Sequence, residues 1–256
     1  MYVVAIVAPE GAADPLGDAL ATITGRARYE MRTRLRVLGR WPGVLDTYAE
    51  EGRAEAVRAA AVDLGCTAWV LPGELVSHRV QARRFSLQGA VLQVVVDAEQ
   101  VLDIDVASVQ MLLAGNRYGV KTDHNVERPA RPASFLSATM AIPTASNASA
   151  VIRRSETREG FVHLYAAGHP TVVFGEATLQ YAALALGRLE PTRRANFDRV
   201  SQGLRRLCAR ATWDDRLLQR LVQARLLGPT LRPERYLDHA IALLTRRLGA
   251  GTTPYR

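Results

Sequence analysis

Between Phe161 and Cys208 the spacing of apolar positions changes from a period of two to a period between three and four. Phe161, His163 and Tyr165 alternate with Val162, Leu164 and Ala166, which places the two sets on opposite faces of a strand. Ala167-Gly168-His169-Pro170 predicts a turn. Thr171-Val172-Val173-Phe174 then supplies β-branched and aromatic residues until Gly175 ends the run, so the two segments read as an antiparallel hairpin. Glu176 to Leu186 fits helix or strand alike. Pro191-Thr192 opens a helix with Thr192 as its N-cap. Phe197, Val200, Leu204, Leu207 and Cys208 recur at steps of about three and four and form one apolar stripe. The hairpin is the expected docking surface for that stripe, and each large side chain buried there contributes about 1.5–3 kcal/mol.

Taken from its start, the chain reads Tyr2 to Ala8 as a strand and Pro9 to Pro15 as a turn-rich break. Leu16 to Ile23 follows as a helix. After Gly25, the residues Tyr29, Met31 and Leu35 mark a second helix, which Pro42 ends. Val44 to Tyr48 is a short strand, Ala54 to Leu64 a third helix closed by Gly65, and Thr67 to Leu71 a strand stopped by Pro72-Gly73. This order predicts a small α/β sandwich over residues 1–75. Glu74 to Gln81 reads as a linker, placed at 76–82. Arg84 to Leu87 and Ala90 to Val96 are strand-like around Gln88-Gly89, and Asp97 to Gln100 is a turn. Leu102, Ile104 and Val106 alternate with Asp103 and Asp105, then the phase slips before Val109, Met111 and Leu113, which predicts a bulge or bend. Asn116 to Val120 extends the sheet. Residues 122–157, rich in Ser, Thr, Ala and Pro, have little periodicity and read as a long mobile loop, with Val151-Ile152 opening the next strand.

Residues 83–210 therefore read as a β-rich domain ending in one amphipathic helix. Residues 211–256 read as a basic helical tail. In it, Thr212-Trp213-Asp214-Asp215 resembles a capped helix start. Leu217, Leu218, Leu221 and Val222 form an apolar face that Gly228-Pro229 stops. Pro233 opens a last helix with a stripe of Leu237, Ala240, Ile241, Leu244 and Leu248, ended by Gly249. The expected fold class is α+β: a small N-terminal α/β sandwich, a central antiparallel β domain closed by an amphipathic helix, and a C-terminal helical tail.

Composition narrows the class. A chain of 256 residues with 48% hydrophobic content is long enough for packed cores and too apolar for disorder. No apolar run reaches the roughly 20 residues of a membrane span. The opening MYVVAIVAPEG lacks a basic region before its apolar run, so it reads as a first strand and not as a signal peptide. Cys66 and Cys208 are the two cysteines, both in apolar contexts. They read as reduced, small hydrophobes in a cytoplasmic setting, with a Cys66–Cys208 disulfide as the alternative. Lys121 is the one lysine, and from Arg188 onward there are 15 arginines against six acids, whereas 18 basic and 19 acidic residues precede it. The whole excess of the net charge of +8 sits in the C-terminal region.

Two resemblances follow. Ala54-Glu55-Ala56-Val57-Arg58-Ala59-Ala60-Ala61-Val62-Asp63-Leu64-Gly65-Cys66-Thr67-Ala68-Trp69-Val70 resembles the last helix, glycine and strand of the C-terminal domain of the bacterial ribosomal stalk protein. Gly25 followed by Tyr29-Glu30-Met31-Arg32 resembles that family's glycine and charged helix, with Pro42 at the family's proline. The Clp-protease adaptor shares the fold. Both bind proteins without catalysis, so the resemblance implies an interaction module over residues 1–75, and Glu30 and Arg32 are the positions that match its charged helix. The family's Gly-Leu-x-Leu stands here as Gly25-Arg26-Ala27-Arg28, with two apolar positions replaced. Residues 83–210 resemble, by element order, the pleckstrin-homology-like domains of bacteria, which implies protein or peptide binding and sometimes lipid binding.

No dinucleotide, phosphate-loop, nucleophile-elbow or zinc-protease signature is present. His163 and His169 bracket the hairpin turn without neighbouring ligands, so a surface role is expected and no metal site. Asp103 and Asp105 read as a solvated strand face, and His78, His124 and His239 have no evident partner. Trp41, Trp69 and Trp213 read as core or boundary residues, and Cys208 as core. The expected function is that of a cytoplasmic, non-enzymatic adaptor or scaffold for a protein partner, with no catalytic residues, metal or cofactor. The alternative is nucleic-acid or anionic-membrane binding through Arg205, Arg206, Arg210, Arg216, Arg220 and Arg225. A third reading is an enzyme with a dispersed site, for which His163, Asp103 and Asp105 are the candidates.

Overall fold

The computed structural model describes residues 1–11, 13–75, 78–96, 100–126, 150–184 and 189–246. Among them are six helices and three sheets, an α+β architecture. The first elements are β1 (Tyr2–Val7), α1 (Ala13–Thr24), α2 (Arg28–Leu38), β2 (Gly43–Tyr48), α3 (Glu51–Asp63) and β3 (Thr67–Pro72), in the order the periodicity predicts. They build an antiparallel sheet, β2-β1-β3. Alternation along β1 serves both faces of this sheet. Val4 and Ile6 pack with Leu20, Met31, Leu35, Val57 and Ala61 from the three helices. Val3 and Ala5 face the other way, beside Val44 and Leu71, and join a different core.

The expected linker contains a strand, β4 (Arg79–Ala82), which pairs in parallel with β10 (Thr171–Gly175). Its partner lies far along the chain, so the local pattern carries no sign of it. β5 (Arg84–Gln88), β6 (Val91–Val95) and β7 (Val101–Asp105) form the expected antiparallel sheet. Of the turn expected between β6 and β7, residues 97–99 lie outside the described residues. The phase slip is a single 3₁₀ turn at Val106–Ser108, held where the Ala107 amide donates to the Asp105 carboxylate at 2.9 Å.

β8 (Val109–Val126), β9 (Ala150–Ala166) and β10 carry the central sheet, which β11 (Thr212–Leu217) completes in the order β11-β8-β9-β10-β4. The hairpin forms as expected, with Val172 opposite Leu164 and Phe174 opposite Val162. Of the predicted loop at 122–157, both ends are strand, and 127–149 lie outside the described residues. Residues 1–117 and 159–256 make one compact unit and residues 118–158 another. The described part of the smaller unit consists of the ends of β8 and β9.

α4 (Arg193–Leu207) begins as predicted: the Ala195 amide donates to the Thr192 hydroxyl at 3.1 Å. Phe197, Val200, Leu204 and Cys208 are buried with Val162, Leu164, Val172 and Phe174 of the hairpin. After it the structure corrects the sequence reading. Thr212–Leu217 is not a helix start but a strand, β11, lying in parallel on β8. Its acid Asp214 is buried and grips Arg216 through both carboxylate oxygens in place of capping a helix. α5 (Arg220–Leu227) buries Gln223, Leu226 and Leu227, while Leu221, expected inside, is 81% exposed. Gln223 explains the change of face: its amide donates to the carbonyls of Asn116 and Leu217 at 2.7 and 2.6 Å, fixing α5 to β8 and β11.

α6 (Pro233–Arg246) buries the predicted Leu237, Ala240, Ile241 and Leu244, but also His239, Ala242, Leu243 and Thr245. From His239 to Thr245 the helix is enclosed on all sides and needs apolar surface all round. One core supplies it, joining α5 and α6 to Val3, Ala5, Val44 and Leu71 of the first sheet and to Met111, Phe161, Tyr165 and Val173 of the central sheet. Leu248 and Gly249 lie outside the described residues. Cys66 and Cys208 are free thiols in separate cores, so the alternative of a disulfide between them falls away.

Candidate functional site

Where α2, β2 and the turn after α5 meet, they leave an open groove of about 690 Å³. α2 turns Met31 and Leu35 into the core. That orientation puts Tyr29, Thr33 and Val37, spaced by four, along the groove wall. Tyr29 is 78% exposed and Val37 43% exposed. Leu45 and Pro229 add apolar surface across the gap.

The floor is Arg34. Its Nε and Nη2 donate to the Val44 carbonyl at 2.9 and 2.8 Å, Nη2 also to Leu226 O at 2.9 Å, and Nη1 to Arg225 O at 2.5 Å. The last carbonyls of a helix have no partner within it, so Arg34 closes the C-terminus of α5 while holding the outer edge of β2. Gly228 makes this possible in two ways. Its φ of 75° is costly for a side chain, and a Cβ there would come within 3.1 Å of the Arg34 guanidinium. Burial, reinforced by the neighbouring Arg225, lowers the Arg34 pKa to about 10, which leaves it charged at neutral pH.

Arg225 lies with its guanidinium carbon 4.4 Å from the centre of the Trp41 ring, and Arg216 approaches the same ring at 5.3 Å. Arg225 Nη2 donates to Leu38 O at 3.3 Å, while its Nε is buried without an acceptor. At the far end, Arg26 forks onto the buried Asp46 through bonds of 2.9 and 2.8 Å, and the Thr47 amide donates to the same carboxylate at 2.8 Å. Glu30 stands on the exposed rim.

Of the residues singled out in the sequence, Glu30 and Arg225 meet in this groove. Arg32 does not: it pairs with Asp18 of α1 and holds that carboxyl below its usual range. Arg216 is bound to Asp214, and Arg220 to Glu234. Arg205, Arg206 and Arg210 are exposed at the end of α4, with Arg205 5.2 Å over the Trp213 ring. Trp41, Trp69 and Trp213 are partly buried, as expected of boundary residues.

Two histidines depart from expectation. His163 is not on the surface; it is 2% exposed, between Phe161 at 4.8 Å and Tyr165, whose hydroxyl lies 3.3 Å from Nδ1. From Phe161 to Ala166 both faces of β9 are covered, so the alternation there marks no solvent side. His239, expected to have no partner, is buried with Nε2 2.9 Å from Pro72 O. It lies beside a polar cleft of about 510 Å³ that also includes Glu74, Tyr236 and Asp238. His163, Asp103 and Asp105 are not gathered into a site, because Asp103 is exposed on β7 and Asp105 turns back onto Ala107. The sequence reading missed Arg34 and Asp46, and gave Trp41 a boundary role without its contact with Arg225. The signal that would have found Arg34 is an arginine on the helix face that carries Met31 and Leu38, three and four residues away. No protein-family model matches the chain, and comparison with curated proteins and with solved structures finds no match.

Proposed function

We propose that the protein is a non-enzymatic adaptor, and that the groove of α2, β2 and the α5–α6 turn receives its protein partner. The observation that carries this is the pair of large apolar side chains, Tyr29 and Val37, left exposed on one wall of an open groove whose floor is rigidly pinned by Arg34. Exposed apolar surface lining a concavity is what partner recognition uses. The β-α-α-β-α-β order of residues 1–75 and their antiparallel sheet support the likeness to the stalk-protein and Clp-adaptor fold. The strands that precede α4, and its docking on their hairpin, support the likeness to a pleckstrin-homology-like domain. A cytoplasmic location accords with both, and no described helix is long and apolar enough to cross a membrane. The test is a photo-crosslinking amino acid at position 29 or 37 in the native cell. A discrete protein adduct at both positions, absent when the crosslinker stands at Val101, which is 52% exposed, is the expected result. Adducts no stronger than those at Val101 would overturn the reading.

A second reading, binding of nucleic acid or anionic lipid, is favoured by Arg205, Arg206 and Arg210. These are exposed and have no carboxylate partner among the described residues. Reversing the three charges should then abolish retention on heparin and on anionic vesicles. Unchanged retention would remove this reading.

A further inference from the structure

The groove described above is not neutral, and the edge beside it is not open. Both facts bear on what can enter. Strand addition needs free N–H and C=O groups on an edge strand. On β2, the edge of its sheet, the Val44 carbonyl is already taken by two Arg34 donors and the Thr47 amide by Asp46. A partner strand would have to displace two guanidinium donors from the Val44 carbonyl and break a charge-assisted bond to pair there. The occupant must therefore engage the groove by side chains, as a helix does.

Charge selects the kind of helix. Arg26, Arg34 and Arg225 line the groove against Glu30 and Asp46, and Asp46 is already spent on Arg26. Arg34 and Arg225 have no carboxylate among the described residues; their acceptors are main-chain carbonyls and the Trp41 ring. Arg34 uses four of its bonds on carbonyls, which leaves one of its five N–H donors without an acceptor. Two like charges close together in a partly dry setting favour an incoming anion more strongly than surface arginines do. Burial first, and then the neighbouring Arg225, lowers the pKa of Arg34.

We infer that the groove binds an acidic amphipathic helix of a partner protein, with a carboxylate over the Arg34–Arg225 pair and an apolar side chain against Tyr29, Val37 and Leu45. This rests on the adaptor reading and narrows it to one partner chemistry. The charge-assisted pair supplies orientation, and the apolar wall supplies burial.

The experiment selects random 16-residue peptides displayed on phage against the full chain, then measures synthetic copies of the enriched sequences by calorimetry. The expected winners carry Asp or Glu beside apolar residues spaced three or four apart. They should bind at least tenfold more weakly to V37K and to R225Q, and as before to R84E, an exposed arginine outside the groove. Replacing their carboxylates by amides should weaken binding to the wild-type chain but not further to R225Q. Because R225Q also loses the contact with Trp41, its thermal melt is recorded, and V37K, at an exposed site, serves as the fold-neutral variant. If enriched peptides respond to V37K but are neutral or basic, the acidic class is wrong and the groove reading stands. If no peptide is enriched, or none responds to V37K, both are wrong.

Discussion

Arg34 shows how one side chain can be both scaffold and site. Its guanidinium replaces the missing partners of the α5 terminus, and four bonds to carbonyls secure it with no countercharge among the described residues. Lysine offers a point charge and cannot span that set. R34M and R34K should therefore both be destabilised, by about 2–4 kcal/mol for several lost bonds to a charged donor. A denaturant titration measures this, and full stability of R34K would show that the fork is not needed. The buried histidines give a second test at this scale. Burial is the main cause that lowers both pKa values. Around His163 the nearby Arg79 and Arg117 add to it; for His239 the bond to Pro72 O and the charge of Asp238 pull the other way. Below the ordinary histidine value near 6.5 the unfolded chain takes up protons that the native one refuses. Stability is thus fully present above about pH 6.5 and falls as the pH drops towards the folded pKa values. The slope is about 1.4 kcal/mol per pH unit for each histidine held neutral. Melts between pH 7.5 and 5 should show it, and H163F should make the slope shallower; a flat profile would contradict this.

Elements were legible where their period was local and their partners near. α4 is the clearest case: Thr192, Phe197, Val200 and Leu204 fixed its start and its buried face, and the hairpin beneath it lies directly upstream. Removing the cap tests the argument, since T192A should cost about 1 kcal/mol without altering the packing of Phe197. A loss many times larger, read by thermal or denaturant unfolding, would mean that the hydroxyl does more than cap α4. β4 and β11 were not legible, for one shared reason. Each is a short strand added in parallel to a distant neighbour, with Arg79 opposite Thr171 and Thr212 opposite Met111. Parallel pairing is set by crossover and packing and not by the residues of the strand alone. In β11, Asp214 and Asp215 beside a threonine imitate a helix cap, and only the buried fork of Asp214 on Arg216 shows otherwise. The groove was half visible for the same reason. Glu30 stood out by the family resemblance of its helix and Arg225 by the basic tail. What joins them is a contact between Arg34 and the end of α5 that no local spacing encodes.

At the scale of the whole chain, α5 and α6 are the elements on which the larger unit depends. The inner face of the first sheet presents Val3, Val44 and Leu71, each at most 2% exposed, to the core that holds Leu226, Leu237 and Ile241. The helices α1, α2 and α3 cover the opposite face only. Residues 1–75 expressed alone would leave that inner face in water, at a loss of about 1.5–3 kcal/mol for each large side chain, comparable in sum to the whole stability of a small domain. Arg34 would lose the α5 carbonyls as well. The isolated segment should therefore keep helical circular dichroism, bind a hydrophobic dye and melt without cooperativity. In the full chain the same residues should melt with α6, and L237A should destabilise β1 and α6 together in hydrogen exchange. A sharply cooperative, dye-silent fragment would show that the first sheet closes its core unaided. The wall that Arg225 and the α5–α6 turn give the groove would then be an added partner surface, not a condition of folding.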